Sequence, residues 1–400
     1  MNYHTHLECT KSGEHYPTDK PRNAVPGGLL YARYDLKRIK SEVSRDVVKE
    51  GPASLWRYGP LLPIAVEKAV TLGEGFTPLL QAPVLGAKLG CADVWVKDEG
   101  GNPSGTFKDR GAAVALSMYR ELGVKTVSLN SSGNAGGSWS LYAVRSGVQC
   151  VNILPTDAQI ASRQHCRATG QPTFLLEDWH KGGKLMADGC VANGWFNAGT
   201  LAEPYRTEGK KTMGLEIAEQ LGWTLPDAVI YPMGGGLGAV AIWKAFEELL
   251  ELGWVQGRMP RLYVTQYEGC SPVVAAYAAG ESTTQPWGKK IDVLPGGLKS
   301  PNPPGGATVL ALIKKYGGAA ISVTSEESLE AVDQLASTEG IFPCPESATT
   351  VVGLRKALAA GMIKGSERVV LVSTGSGLKS IPVMAAPSFP VFTSASELHT

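Results

Sequence analysis

The sequence predicts an α/β protein with mostly parallel sheets. Between residues 94 and 372, short apolar segments alternate with segments of helical period, which is typical of βαβ units. Residues 369–372 (VVLV) are apolar at every position, as expected for a strand covered by helices on both faces. Glycine-rich turns follow several of these strands, and glycine accounts for 48 of the 400 residues.

The predicted elements follow one another in strand–helix pairs. Strands are predicted at 94–97, 125–129, 149–154, 228–231, 262–267 and 368–372, and helices at 111–122, 136–146, 158–168 and 239–252. Residues 1–60 are polar and rich in Pro and Gly, with short helical signals only at 34–49. Residues 295–306 (PGGLKSPNPPGG) are predicted to form a long loop and not a domain linker.

The composition excludes several classes of protein. Hydrophobic residues make up 43% and charged residues 19%, so the chain can form a core and is not disordered. Because 38 Lys and Arg face 37 Asp and Glu, no overall basic field attracts nucleic acid or an anionic membrane. The sequence contains no signal-peptide pattern at its start and no apolar run of membrane-spanning length. We therefore expect a cytoplasmic protein with neither a nucleic-acid nor a membrane partner.

The cysteines indicate a reducing compartment. Seven cysteines lie far apart in the sequence, without a C-x-x-C pair. An odd number at irregular spacing does not suit a disulfide framework.

One turn places a lysine at an unusual position. In residues 102–111 (NPSGTFKDRG), Pro103 and Gly105 favour a turn, and Lys108 falls in or near the first turn of the predicted helix. A cation is disfavoured there because the helix N-terminus carries positive potential. A lowered pKa and a nucleophilic amine would be one use for such a lysine. The alternative is a surface lysine paired with Asp109.

Three further turns follow predicted strands. Residues 129–138 (LNSSGNAGGS) and 231–239 (YPMGGGLGA) each lead from a strand into a helix, where backbone amides can bind an anion. The second also fits a relaxed dinucleotide pattern, but no acidic residue ends the next strand. Either turn could instead be purely structural. Residues 373–379 (STGSGLK) also follow a predicted strand. All of these turns therefore lie at the carboxyl ends of strands and could line one crevice.

Together these motifs resemble those of threonine synthase and its fold-type II relatives, which use pyridoxal 5'-phosphate (PLP). The resemblance covers residues 70–380 and runs in order through 71–79 (TLGEGFTPL), 102–111, 131–134 (SSGN), 204–212 (PYRTEGKKT), 231–239, 339–342 (EGIF) and 374–379 (TGSGLK). It implies a homodimer of two-domain subunits, with the cofactor in the cleft between two open α/β domains. The large PLP-binding domain would comprise residues 1–110 and 198–400, with 1–60 as an N-terminal extension. The small mobile domain would comprise 111–197.

The resemblance also implies roles for individual residues. Lys108 would hold PLP as a Schiff base and then move protons at the substrate, and Phe107 would flank the ring. The implied cofactor-binding residues are Phe107, Lys108, Asn134, Gly234, Gly235, Gly236, Leu237, Gly238 and Thr374. The implied substrate-binding residues are Ser131, Ser132 and Gly133 for the carboxylate and Lys97 and Arg206 for a phosphate. Lys97 could instead be a surface lysine at a strand end, and Arg206 could form a structural ion pair with Glu208.

The implied reaction belongs to threonine biosynthesis. Phosphate would leave O-phospho-L-homoserine, and water would add to give L-threonine. An alternative with the same cofactor but another substrate is a PLP-dependent ammonia-lyase or dehydratase. It would act on threonine, serine or diaminopropionate. A nucleotide-dependent oxidoreductase would use the glycine loop but not Lys108. A PLP-fold protein without catalysis is a further alternative.

The sequence departs from the family pattern at three places. Asn197 is followed by Ala198 where the family usually has serine, which removes one hydroxyl from the implied phosphate site. The double serine of SSGN is more like that of the dehydratases than the family's usual STGN. Near the N-terminus, Ser12 replaces the second cysteine of a zinc-ribbon pair that would begin at Cys9, and no second pair follows. No metal site is predicted.

Overall fold

The computed structural model describes residues 3–25, 28–387 and 389. Its strands are β1 (His4–Cys9), β2 (His15–Tyr16), β3 (Leu30–Tyr34), β4 (Leu79–Gln81), β5 (Asp93–Asp98), β6 (Thr126–Asn130), β7 (Gln149–Pro155), β8 (Thr173–Leu176), β9 (Phe196–Asn197), β10 (Ala228–Pro232), β11 (Arg261–Tyr267), β12 (Gly318–Val323) and β13 (Arg368–Ser373). Its α-helices are α1 (Leu36–Glu42), α2 (Arg45–Lys49), α3 (Pro83–Leu89), α4 (Lys108–Glu121), α5 (Asn134–Ser146), α6 (Ile160–Ala168), α7 (Gly182–Asn193), α8 (Tyr205–Gln220), α9 (Leu237–Leu252), α10 (Pro272–Ala278), α11 (Gly306–Tyr316), α12 (Ser325–Glu339) and α13 (Pro345–Ala359). None of the helices in these ranges is long and apolar enough to cross a bilayer.

Two sheets carry the α/β architecture. The six-stranded sheet has the order β12-β11-β10-β13-β5-β4, and the four-stranded sheet has the order β8-β7-β6-β9. Every pairing in both sheets is parallel except that of the edge strand β4 with β5. All five residues of the central strand β10 are buried. The predicted α/β class with mostly parallel sheets is therefore confirmed.

The N-terminal segment forms a small antiparallel sheet that the sequence analysis did not predict. Its order is β2-β1-β3, and its strands are short and mostly polar. In β3, Leu30, Ala32 and Tyr34 alternate inward, which is the period-two pattern of a half-buried strand. The hydroxyl of Tyr34 donates to the Glu208 carboxylate of α8, at 2.8 Å. This sheet is therefore attached to the helix that follows the four-stranded sheet.

Helices α4 and α8 approach each other closely at two glycines. A Cβ at Gly209 would lie 1.9 Å from the Arg110 carbonyl oxygen, and a Cβ at Gly111 would lie 3.2 Å from that of Arg206. Only glycine permits backbones to come this close. As a result, the start of α4, which begins with Lys108, faces the first turns of α8.

A buried network of charges fixes the start of α4 to its surroundings. The Arg110 guanidinium donates to Glu99 at 2.6 Å and to Glu216 at 2.5 Å. All three side chains are fully buried. Such charges are tolerated in a core only when they are paired with one another. The network thus holds α4, α8 and the end of β5 in one arrangement.

Candidate active site

A cavity lies where the glycine-rich turns meet the carboxyl ends of the strands. All the residues that the resemblance assigned to the cofactor line this cavity: Phe107, Lys108, Asn134, Gly234, Gly235, Gly236, Leu237, Gly238 and Thr374. The cavity is completed by Thr106, Thr200, Lys210, Tyr231, Pro232, Gly297, Leu298, Cys344 and Glu346. We call it the inner cavity.

Lys108 presents a reactive amine to the inner cavity. Its ammonium nitrogen lies 4.2 Å from the centre of the Phe107 ring. Burial and then the Arg206 guanidinium lower the pKa of Lys108 to about 7, although Glu346 and Cys344 oppose that shift. Asp109 does not pair with it, because that carboxylate accepts hydrogen bonds from Ser104 and Ser138. An amine that is neutral near pH 7 can attack an aldehyde.

The glycine loop provides a cradle for an anion. It ends at Gly236, which has a φ of +86° and precedes the 16-residue helix α9. A Cβ at Gly234 would lie 2.1 Å from the Gly297 oxygen, and one at Gly238 would lie 2.0 Å from the Tyr231 hydroxyl. In the described parts of the chain, no backbone hydrogen bond outside helices uses the amides of 234–238 as donors. These amides and the helix dipole can hold a phosphate.

Neutral polar groups occupy the other sides of the inner cavity. Ser162 donates to Oδ1 of Asn134 at 3.1 Å, which leaves the Asn134 amide nitrogen as a donor for a ligand. The Thr374 hydroxyl lies 3.2 Å from that of Ser347. A lysine amine, an anion cradle, an amide donor and a hydroxyl fit an aromatic aldehyde that bears a phosphate. The residues present therefore fit PLP.

A second, outer cavity of about 690 Å³ opens beside the inner one. Ser131, Ser132 and Arg206 line it together with Lys108. The Ser131 hydroxyl accepts from the amides of Gly133 and Gly136, each at 3.1 Å, so it lies at the N-terminus of α5. Gly133 itself does not line either cavity. The predicted long loop 295–306 supplies further lining residues to both cavities.

The structure does not bring Lys97 to either cavity. Its ammonium group is fully buried and donates to Glu216 at 2.7 Å, to the Thr77 carbonyl at 2.6 Å and to Gln220 at 2.9 Å. Lys97 is therefore neither a surface lysine nor a substrate cation, which corrects both sequence-based interpretations. The sequence could not show this because its partner Glu216 lies on another element, far along the chain.

Arg206, in the first turn of α8, lines the outer cavity together with Lys108. It is 2% exposed, its Nη1 donates to the Ala198 carbonyl at 2.5 Å, and its guanidinium carbon is 5.1 Å from the Trp139 ring. Its Nε is buried without a hydrogen-bond partner in the described residues. Glu208 does not pair with it but binds Tyr34, Lys211 and Lys244. The structural ion pair considered from the sequence is thus absent.

Two charged groups of the inner cavity were missed by sequence reasoning. Lys210 lies one helical turn after Arg206, and its ammonium is 4.8 Å from the Phe107 ring centre. Helix α8 was not predicted from the sequence, and only on a helix does the i, i+4 spacing place Lys210 beside Arg206. Glu346 accepts from the Gly297 amide at 2.8 Å through Oε1, while its Oε2 is buried without a partner in the described chain. Nothing in the sequence around Glu346 marks it as a site residue.

Sequence comparisons agree with this geometry. A family model described as "Pyridoxal-phosphate dependent enzyme" matches residues 70–375. The threonine synthase of Methanocaldococcus jannaschii is 36% identical over 375 residues, which cover 93% of this chain and 92% of that protein. The threonine synthase of Methanosarcina acetivorans is 35% identical over 379 residues, covering 94% and 92%.

Solved structures share the fold at lower sequence identity. An L-serine ammonia-lyase from Rhizomucor miehei has a TM-score of 0.62 at 22% identity, covering 75% of this chain and 93% of its own. A maize serine racemase has a TM-score of 0.63 at 19% identity, covering 75% and 88%. A processed threonine deaminase from Solanum lycopersicum has a TM-score of 0.61 at 19% identity, covering 75% and 79%. These likenesses concern the fold alone.

Proposed function

Because the chain belongs to the pyridoxal-phosphate-dependent enzymes and is a PLP-dependent lyase, we propose that it is a threonine synthase. It eliminates phosphate from O-phospho-L-homoserine and adds water to give L-threonine. The observation that carries this proposal is a second cationic group, Arg206 of α8, which lines the outer cavity together with Lys108 and belongs to a different element from the glycine loop. A substrate that bears its own phosphate needs such a second anion site.

The bound cofactor supplies an electron sink for the substrate's α-carbon. Lys108 would hold the cofactor and, once released as a neutral amine, would take up and return protons at the substrate carbons. The amides of residues 234–238 would hold the cofactor phosphate, and the Asn134 amide nitrogen would donate to the cofactor. Thr374 would offer a neutral hydroxyl where an aspartate would keep the ring protonated, which would favour elimination and replacement chemistry.

The substrate is oriented by groups of the outer cavity. Ser131, Ser132 and the N-terminus of α5 bind its carboxylate. Gly133 contributes indirectly, because its amide donates to the Ser131 hydroxyl. Arg206 binds its phosphate, since a guanidinium matches the geometry of phosphate oxygens. Closure of the small domain, residues 111–197, over the large domain excludes water until it is needed.

The second candidate function is an ammonia-lyase or dehydratase that acts on threonine, serine or diaminopropionate. The double serine at 131–132 favours it, and the fold shared with an L-serine ammonia-lyase is compatible with it. It leaves the buried guanidinium of Arg206 without a ligand, because none of these substrates carries a phosphate. We therefore place it second.

The experiment sets phosphate release from O-phospho-L-homoserine beside keto-acid release from serine and threonine. We expect phosphate and threonine to be the main products. Arg206→Met should lower kcat/KM for the phosphorylated substrate by roughly 100-fold, because a charged hydrogen-bond pair contributes about 2–3 kcal/mol. Any residual keto-acid release should change little. Faster keto-acid release than phosphate release, together with indifference to Arg206→Met, would favour the ammonia-lyase.

A further inference from the structure

Lys210 is a buried lysine whose ammonium group has no anionic partner among the residues that the structure describes. The residue is 2% exposed and lines the inner cavity. Among the described residues, its ammonium takes part in no hydrogen bond or ion pair. The Lys210 nitrogen instead lies over the Phe107 ring, 4.8 Å from the ring centre. An unpaired buried cation is costly for a folded protein. A ligand that brings negative charge would remove that cost.

The next residue along α8 serves as an internal comparison. Lys211 is also fully buried, but its ammonium binds Glu208 at 2.7 Å and Glu248 at 2.8 Å. Lys97 likewise has Glu216 as its partner. The protein thus neutralises these buried lysines with carboxylates and leaves Lys210 facing the cavity.

The neighbours of Lys210 are mostly cations. Burial, then Lys108, then Arg206 lower its pKa well below the usual range, and Glu203 opposes this shift. The Glu203 carboxylate is itself engaged by the Tyr119 hydroxyl and by the backbone amides of Tyr205 and Arg206. A dianion bound beside the Arg206 guanidinium would favour the charged form of the Lys210 amine and raise its pKa again, so that Lys210 would bind the dianion as an ammonium group.

We propose that Lys210 and Arg206 form a two-cation site for the phosphoryl group of the substrate, so that Lys210 determines specificity for a phosphorylated side chain. This inference rests on the proposed function. Lys210 lines the inner cavity and Arg206 the outer cavity, and Lys108 lines both. The two residues lie one helical turn apart on the same face of α8, so they can act together where the two cavities meet. Close packing fixes Lys210, because a Cβ at Gly111 would lie 3.2 Å from its Cε. The amides of 234–238 remain free for the phosphate of the cofactor.

The test uses the holoenzyme and inorganic phosphate as the probe. We expect phosphate to bind in titration calorimetry, and Lys210→Gln to weaken it at least tenfold, since a buried charge-assisted hydrogen bond contributes more than about 1.4 kcal/mol. The KM for O-phospho-L-homoserine should rise by a similar factor, and Lys210→Arg should restore part of both. The affinity for PLP should not change. Lys210→Met, which keeps an unbranched chain, serves as a second neutral variant for the case that the glutamine variant folds poorly.

A matched control is Lys181→Gln. Lys181 lines neither cavity and is exposed and paired with Asp178 at 2.9 Å, so its loss should leave phosphate binding unchanged. The inference is overturned if phosphate does not bind the wild-type holoenzyme, or binds it and the Lys210 variants equally. It is also overturned if the variants lose affinity for PLP but not for phosphate, which would assign Lys210 to the cofactor. Phosphate binding that depends on Lys210, without turnover of O-phospho-L-homoserine, would refute the proposed function and keep the anion site.

Discussion

Buried lysines of this chain differ in what their ammonium groups face. Lys97 and Lys211 each contact carboxylates, whereas Lys108 and Lys210 face the inner cavity. The motif around Lys108 left a surface lysine open, and only the resemblance carried by all the motifs together predicted Lys108 at the site. No sequence pattern showed that Lys97 points into a closed network or that Lys210 lacks a partner, because both outcomes depend on residues brought together by folding.

The pKa of Lys108 predicts how the apoenzyme takes up PLP. Below the pKa of about 7 the amine is protonated and cannot attack the aldehyde, and above it the neutral form predominates. The rate of covalent attachment should rise about tenfold per pH unit below pH 7 and level off above it. Stopped-flow absorbance of the lysine-bound cofactor measures this rate.

Arg206→Met should shift the pH dependence of the rate at which PLP becomes attached to Lys108. Removing this cation takes away one cause of the lowered pKa of Lys108, so the midpoint should move to higher pH. Lys108→Ala should show no such absorbance at any pH. A midpoint near pH 10, the value of an ordinary lysine, would contradict the geometry described for Lys108.

At the scale of elements, strand–helix alternation predicted most of the helices and strands that carry the site. Their starts were less well predicted. Helix α4 was expected at 111 and begins at Lys108, and α9 was expected at 239 and begins at Leu237. The first turns of these helices contain turn-forming residues and glycine, which hide the helical period. The N-terminal sheet was missed because its strands are short and polar.

The close contact of α4 with α8 makes Gly209 sensitive to substitution. In Gly209→Ala the new Cβ would lie 1.9 Å from the Arg110 carbonyl, so the helices must separate. We expect the free energy of unfolding to fall by roughly 1–3 kcal/mol and kcat to fall because Lys108 is displaced. Urea denaturation and steady-state kinetics test this. Gly189→Ala on α7 is the control, because its Cβ would meet only Trp195 at 3.9 Å, and an equal loss there would contradict the packing argument.

The buried network predicts that Lys97 acts on stability and not on substrate binding. Lys97→Met removes one partner of Glu216, and breaking a buried ion pair costs roughly 3–5 kcal/mol, less here because Arg110 still contacts Glu216. We expect a lower denaturation midpoint with an unchanged KM for O-phospho-L-homoserine. A tenfold rise in KM at unchanged stability would instead return Lys97 to the substrate site.

At the scale of the whole molecule, the sequence predicted where the site lies because parallel strands place their following turns on one edge of a sheet. Residues from Phe107 to Thr374 therefore meet in one cavity. The loop 295–306 was recognised as a loop, but its place beside the cavities was not predictable, since no local pattern fixes where a long loop packs. The same holds for Glu346, which reaches the cavity from α13.

The hydrogen bond from Tyr34 to Glu208 connects the N-terminal segment to α8, the helix that carries Arg206 and Lys210. Residues 3–25 and 28–60 line neither cavity, yet Tyr34 secures α8 two positions from both Arg206 and Lys210. A chain trimmed to the boundaries of the matched family model, residues 70–375, would keep every residue that lines the two cavities. The trimmed chain would lose the hydrogen bond from Tyr34 to Glu208, which holds the part of α8 that carries Arg206 and Lys210. A minimal version of this enzyme should therefore begin upstream of residue 70 and include Tyr34.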